Sequence, residues 1–175
     1  VNSDPNVQRN TAYDQKDFIT KVNLKLKNDS NLIINFQVSR SSKINRFDKL
    51  SELDSNLDLK FAEWYYGPQK RTMLSSILNL SPSKLFDNGR FIFSYQSIGE
   101  SRHKRKFGSE ILHNQTEKLD VYSVNGDFSK TIINDSELLY GFEYTHNNLF
   151  SKSVSKRIDT SNAVSYTHLR AHETS

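Results

Sequence analysis

Apolar and polar residues alternate with a period of two along several stretches of this chain. In the clearest stretch, the apolar series is Leu138, Tyr140, Phe142 and Tyr144. It alternates with Leu139, Gly141, Glu143 and Thr145. Similar series are Val22, Leu24, Leu26 and Leu32, Ile34, Phe36, Val38. This period is typical of β-strands that have one apolar and one polar face.

The pattern predicts six strands and their connections. The strands are expected at about 17–27, 32–41, 69–80, 90–99, 116–129 and 137–150. Short polar turns join them at 28–31, 81–89 and 134–136, whereas the connections over 42–67 and 100–115 are long. The apolar residues within 48–63 have a loose helical rhythm, which is compatible with a short helix there. Tight turns favour antiparallel neighbours. We therefore predict an all-β fold, an antiparallel up-and-down meander of about six long strands that is part of a transmembrane β-barrel, because barrel walls have this alternation of short and long connections.

Apolar residues also predict the register and the faces of this sheet. Leu26 is expected opposite Leu32, and Gly126 opposite Tyr140, whose ring would cover the bare glycine backbone. One face should carry Leu24, Leu26, Ile34, Phe36, Phe91, Phe93, Tyr140 and Phe142. The other should carry Lys25, Asn35, Gln37, Ser94 and Glu143.

Composition excludes several classes of protein. The chain has 24 Lys and Arg against 20 Asp and Glu, and a net charge of +4 is too small to indicate a nucleic-acid partner. With no cysteine, disulfides and thiolate metal sites are absent. No apolar run reaches the ~18 residues of a membrane-spanning helix. The basic run 102–106 fits a solvated loop better than a dedicated anion contact.

Motifs for catalysis are missing from the sequence. It contains no GxSxG, no HExxH and no glycine-rich phosphate loop. We therefore predict that the chain is not an enzyme, requires no cofactor and has no metal site. Trp64, Tyr65 and Tyr66 lie where a long connection meets a strand, which favours an aromatic girdle at a membrane–water interface; stacking on a flat ligand is the alternative.

Three segments resemble a known family. They are Arg46, Phe47, Asp48, Lys49, Leu50; then Ala62, Glu63, Trp64, Tyr65, Tyr66, Gly67, Pro68, Gln69, Lys70, Arg71; then Leu138, Leu139, Tyr140, Gly141, Phe142, Glu143, Tyr144. Over about 10–155 the chain is similar to the barrel of TonB-dependent outer-membrane receptors, closest to the haem or haemoglobin receptor branch of Bacteroidetes-type bacteria. The run from Trp64 to Arg71 is the more specific part.

The resemblance implies a role in nutrient import across the outer membrane of a Gram-negative bacterium. Expected partners are outer-membrane lipid, an iron chelate or haem as ligand, and, for the parent protein, the TonB system through a plug domain that this sequence lacks. The histidine motifs of haem receptors are not matched, so no ligand residue is transferred from the family. Candidate ligand contacts in the long extracellular loops are Arg46, Trp64, Tyr66, Arg102, His103 and His113.

Alternatives and boundaries complete the expectations. A soluble, lipocalin-like barrel or sandwich that acts as a binding module, and a passive porin, share the strand pattern. Residues 1–13 are expected to be the loop start of a fragment, 14–155 the partial barrel and 156–175 an unstructured tail. The end of that tail, 163–175, resembles a translated sequencing adaptor and is expected to form no strand, although His168 and His172 have helical metal-ligand spacing.

Overall fold

The fold is a single antiparallel β-sheet. The computed structural model describes residues 4, 6–133 and 136–158, together with the backbone of 165–168. Its elements are β1 (Gln15–Lys25), β2 (Asn31–Ser41), β3 (Ile44–Asn45), α1 (Phe47–Leu50), β4 (Phe61–Leu80), β5 (Asn88–Lys106), β6 (Ile111–Ile133), β7 (Ser136–Arg157) and β8 (Ser165–His168). The strand order is β1-β2-β4-β5-β6-β7-β8, with β3 beside β4, and every pair is antiparallel. The prediction of an all-β antiparallel meander is confirmed, and the sheet is open, with β1 and β8 at its edges.

The predicted long loop over 100–115 is wrong. β5 continues to Lys106 and β6 begins at Ile111, so only 107–110 connects them, with Gly108 in the left-handed region at φ 71°. Most residues of the predicted loop alternate between the two faces while nearly all are polar, so hydropathy does not reveal the strands. A backbone ladder forms there all the same, because its hydrogen bonds do not depend on apolar side chains.

The first long connection is shorter and more structured than predicted. β4 begins at Phe61, and the helical rhythm over 48–63 produces only the single turn α1. A β-bridge between Leu53 and Leu59 follows, and Leu57 has a positive φ of 64° inside it. Within the described ranges, no helix has the length and the apolar character needed to cross a membrane.

The predicted faces are confirmed for the named residues that lie in strands, whereas both predicted registers are wrong by two residues. Leu24, not Leu26, lies opposite Leu32, and Phe142, not Tyr140, lies opposite Gly126. At the β1–β2 turn, Asn28 and Asp29 both have left-handed backbone, at φ 56° and 57°, and the turn is centred one residue earlier than the sequence suggested. A ladder irregularity at 131–133 changes the β6–β7 register. A shift of two residues changes cross-strand partners but leaves every side chain on its face.

The apolar face of this sheet has no cover. Among the described residues, no apolar side chain is buried, and Phe93, Phe142 and Tyr144 are 43%, 52% and 63% exposed. On β2 this apolar band runs from Leu32 to Val38, a length of about 20 Å along the strand. The described residues therefore contain no buried hydrophobic core.

The upper edge of the apolar band, by which we mean the edge farther from the β1–β2 turn, is oblique to the strands. Cross-strand pairing forms one row from Phe18 and Val38 through Thr72, Ser97, Asp120 and Asn148. The row is apolar on β1 and β2 but polar on β4 to β7, so the band edge lies lower on the later strands. An apolar layer that cuts across tilted strands produces this slope.

The tail departs from expectation. Ser165–His168 forms β8 and pairs with β7 at residues 153–156, and β7 itself extends to Arg157. The expectation that 156–175 is unstructured, and that 163–175 forms no strand, is therefore wrong for these segments. His172 and the remaining tail lie outside the described residues.

Candidate ligand-binding site

A β-bulge in β4 determines which aromatic side chains share a face. The register between β4 and β5 changes by one residue between the pair Lys70–Gly99 and the pair Gly67–Ser101. Pro68, which was expected outside any strand, lies in this irregularity, where it has no ladder hydrogen bond to donate. A one-residue slip moves every later side chain to the opposite face.

The bulge overturns the girdle interpretation for two of the three aromatics. Trp64 and Tyr66 pair with Lys104 and Arg102 and lie on the polar face, away from Tyr95 and Tyr144. Strict alternation along β4 would place both with Leu74 on the apolar face. Of the three, only Tyr65 shares the apolar face.

Arg46 joins Trp64 and Tyr66 in a compact group. Its backbone N–H donates to the carbonyl of Trp64 at 3.0 Å, and its Nη1 donates to the Tyr66 hydroxyl at 2.8 Å. The guanidinium lies 4.9 Å from the Trp64 ring centroid, and the two rings meet edge to face at 5.2 Å. Arg102 lies on the other side of Tyr66, 6.0 Å from its ring centroid. The group thus combines cations with the faces of flat rings.

Ion pairing fixes the position of Arg46. Its Nε donates to Asp48 Oδ1 at 2.7 Å and its Nη2 to Asp48 Oδ2 at 2.5 Å, a two-pronged contact. These hydrogen bonds lower the pKa of Asp48 to about 2 and raise the pKa of Arg46. Behind them, Glu52 accepts hydrogen bonds from Lys49 and Lys60, which lower its pKa. The segment around α1 therefore holds Arg46 against the rings.

Next to this group the polar face contains a cavity of about 600 Å³. Three cations from alternate positions of β5 line it, Arg102, Lys104 and Lys106, and Phe61 and Trp64 supply an aromatic wall. No carboxylate is among the lining residues, and of the three cations only Arg102 has an ion pair within the described part of the chain, with Glu100 at 3.5 Å. An excess of cations beside flat apolar surface suits an anionic ligand that has a flat apolar part.

The two candidate histidines lie on different faces. His113 lines the cavity and its Nδ1 is 2.9 Å from Ser155 Oγ. His103 lies on the apolar face, stacked on Tyr65 with ring centroids 4.5 Å apart. Both nitrogens of His103 are engaged, Nε2 by Ser101 and Nδ1 by Asn114, at 2.8 and 2.7 Å. No group of three possible metal ligands exists in the described ranges.

The structure thus gathers five of the six predicted contact residues and separates one. Arg46, Trp64, Tyr66, Arg102 and His113 are on or beside the cavity, and His103 is turned away from it. Except for Arg46 they lie on strands, not in the loops where they were expected. Phe61, Lys104 and Lys106 were not predicted; the period-two spacing within the basic run 102–106 is the signal that could have identified both lysines.

Comparison with known proteins adds no identification. The chain matches no protein-family profile, no curated protein and no solved structure. Its class is therefore defined by its own features, an open antiparallel sheet with one apolar and one polar face and a basic, aromatic-lined cavity on the polar face.

Proposed function

We propose that this chain is a segment of the wall of an outer-membrane receptor barrel of the TonB-dependent kind, which imports an anionic nutrient such as an iron chelate or haem. The observation that carries the proposal is the apolar band, which is continuous across the sheet and has no layer packed against it in the described residues. Apolar side chains in such a band are stable when they face lipid hydrocarbon.

The shape of the band supports lipid rather than a soluble core. Its length of about 20 Å on β2 is close to the ~25 Å apolar belt of membrane barrels, and its oblique edge agrees with strands tilted by about 35–45°. The strands continue well past the band, as β5 does to Lys106. A soluble binding module would instead need a second layer on this face.

The cavity supplies the capture step of this proposal. With the apolar face toward lipid, the polar face lines the barrel lumen, and the cavity lies at the end of the sheet opposite the turns at 26–30 and 81–87. The long connection between β2 and β4, 42–60, lies at the cavity end, and the longer loops of such barrels face outside. Ligands from outside would therefore reach Trp64, Arg102 and Lys104 early.

The test uses the full chain folded into phosphatidylcholine vesicles, with haemin as the probe. Trp64 is the single tryptophan, so its fluorescence reports binding at the cavity. Replacing Arg102 and Lys104 by Gln should weaken haemin binding by roughly tenfold per cation. The matched control replaces Lys21 and Lys25, which lie on the same face near the β1–β2 turn.

Two results would contradict the proposal. A chain that folds cooperatively without any vesicle or detergent would be a soluble module. Equal weakening of haemin binding by R102Q/K104Q and by K21Q/K25Q would show general charge attraction and no site.

A further inference from the structure

Three cations lie side by side at the upper edge of the apolar band. Lys16 on β1 is directly opposite Arg40 on β2, and Arg40 is directly opposite Lys70 on β4. All three are exposed, and they share the face of Phe18 and Val38, each two residues beyond the next lower row. We call Lys16, Arg40 and Lys70 the cation row.

Like charges on directly opposite residues repel and destabilise a sheet. Among the ion pairs of the described residues, none includes a member of the cation row. Asp14, which precedes Lys16 by two residues, does not come within ion-pair distance of it. The row therefore carries positive charge that no ion pair of the described residues balances, and it lies along one edge of the apolar band.

We propose that the cation row binds the phosphate of a lipid headgroup whose acyl chains lie on the apolar band. This inference rests on the proposed orientation of that face toward lipid. A phosphate offers several acceptor oxygens and can bridge neighbouring cations, and Arg40 can bind two of those oxygens at once.

Directly below the row, Phe18 and Phe36 contact each other edge to face with centroids 6.5 Å apart, and both belong to the band. Phe18 is 59% exposed, so its ring is accessible to a lipid acyl chain. An amphiphile with an anionic phosphate head and apolar tails therefore matches the charge of the row and the apolar surface beneath it. A free phosphate ion would match the row alone.

The experiment measures co-flotation of the full chain with vesicles of phosphatidylcholine alone or mixed with phosphatidic acid. The test variant is K16Q/R40Q/K70Q. The control variant is K21Q/K25Q/R90Q, which removes two lysines and one arginine from exposed positions on the polar face.

The wild-type chain should bind the mixed vesicles more tightly than the neutral ones. At about fivefold per basic residue near an anionic surface, the test variant should lose roughly 100-fold of this preference. The control variant should keep most of it, and binding to phosphatidylcholine alone should be the same for all three proteins.

The outcomes separate this inference from the proposed function. If no protein binds phosphatidylcholine vesicles, the wall function fails. Suppose instead that all three proteins bind phosphatidylcholine vesicles. If the test variant then keeps its preference for phosphatidic acid, or loses no more of it than the control variant does, only the cation row is overturned as a phosphate site. The inference would also be overturned if added inorganic phosphate abolished the preference for phosphatidic acid, because the row would then recognise phosphate without the lipid.

Discussion

The ring of Tyr65 lies parallel to the imidazole of His103, at 9° and 4.5 Å, on the face opposite Trp64. Gly67 makes room for this stack, because a Cβ there would come within 2.6 Å of His103 Nε2. Lys43 adds its ammonium 3.9 Å from the Tyr65 ring centroid. These contacts hold His103 on the apolar face of the sheet, whereas the cavity lies on the polar face.

His103 and Trp64 should therefore affect ligand binding differently. We expect H103A to leave haemin affinity within about twofold, because the His103 side chain lies on the face of the sheet opposite Trp64. W64A removes a ring of the cavity wall and should weaken binding by roughly fivefold. Haemin absorbance is the readout, since W64A has no tryptophan. Loss of binding in H103A, with the fold intact by circular dichroism, would refute this assignment.

Neighbouring residues of β5 allow a matched test of the two faces. Phe93 belongs to the apolar band and Ser94 to the polar face, where it bonds Ser123 Oγ at 2.6 Å. In vesicles, F93K should lower the free energy of unfolding by about 2–4 kcal/mol, the cost of a cation among lipid tails. S94K should cost well under half of that. The measurement is urea unfolding in vesicles, and equal costs would count against a lipid-facing band.

Glycines on β6 and β7 should differ in their tolerance of a methyl group. A Cβ on Gly141 would approach the carbonyl oxygen of Gly126, a backbone atom that cannot turn aside. A Cβ on Gly126 would meet the tip of the Phe142 ring, 2.6 Å away, which can rotate. We expect G141A to cost about 1–3 kcal/mol of folding stability and G126A less.

Gly99 provides the control for this series. An added Cβ there meets nothing within 4 Å. G99A should therefore be neutral or slightly stabilising, because alanine restricts the unfolded chain more than glycine does. Unfolding of the three variants under one condition gives the ranking, and G126A more costly than G141A would contradict the packing at this point.

Asp48 should make the position of Arg46 dependent on acid pH. Its pKa is about 2 in the folded chain, against an ordinary value of 3.8. Because the folded pKa is the lower one, the stabilisation is complete above about pH 4 and is lost as the pH falls toward 2. A carboxyl carbon-13 titration by NMR should show a midpoint near 2. In R46Q the midpoint should return toward 3.8, and an unchanged midpoint would exclude Arg46 as the cause.

Much of the fold could be predicted from the sequence because it depends on local periodicity. The alternation of Leu32, Ile34, Phe36 and Val38 fixes a strand and its apolar face. Adjacent strands joined by short polar turns pair antiparallel for reasons of chain connectivity. The assignment of residues to the two faces stays correct despite two errors of register, because each error was an even number of residues.

The sequence indicated five of the residues on or beside the cavity, but only the tertiary structure decided which face of the sheet they share. The side on which Trp64 and Tyr66 lie depends on one extra residue at Pro68 in β4, and β5 reveals that residue only when the two strands are aligned. The pairing of β4, β5 and β6 brings Lys104 and His113 to the same cavity as Trp64, and the pairing of β1, β2 and β4 places Arg40 between Lys16 and Lys70. The period-two alternation within a strand follows from the order of its residues alone. Register between strands is a sum of turn geometry, bulges and ladder hydrogen bonds, so it is settled only when the sheet forms.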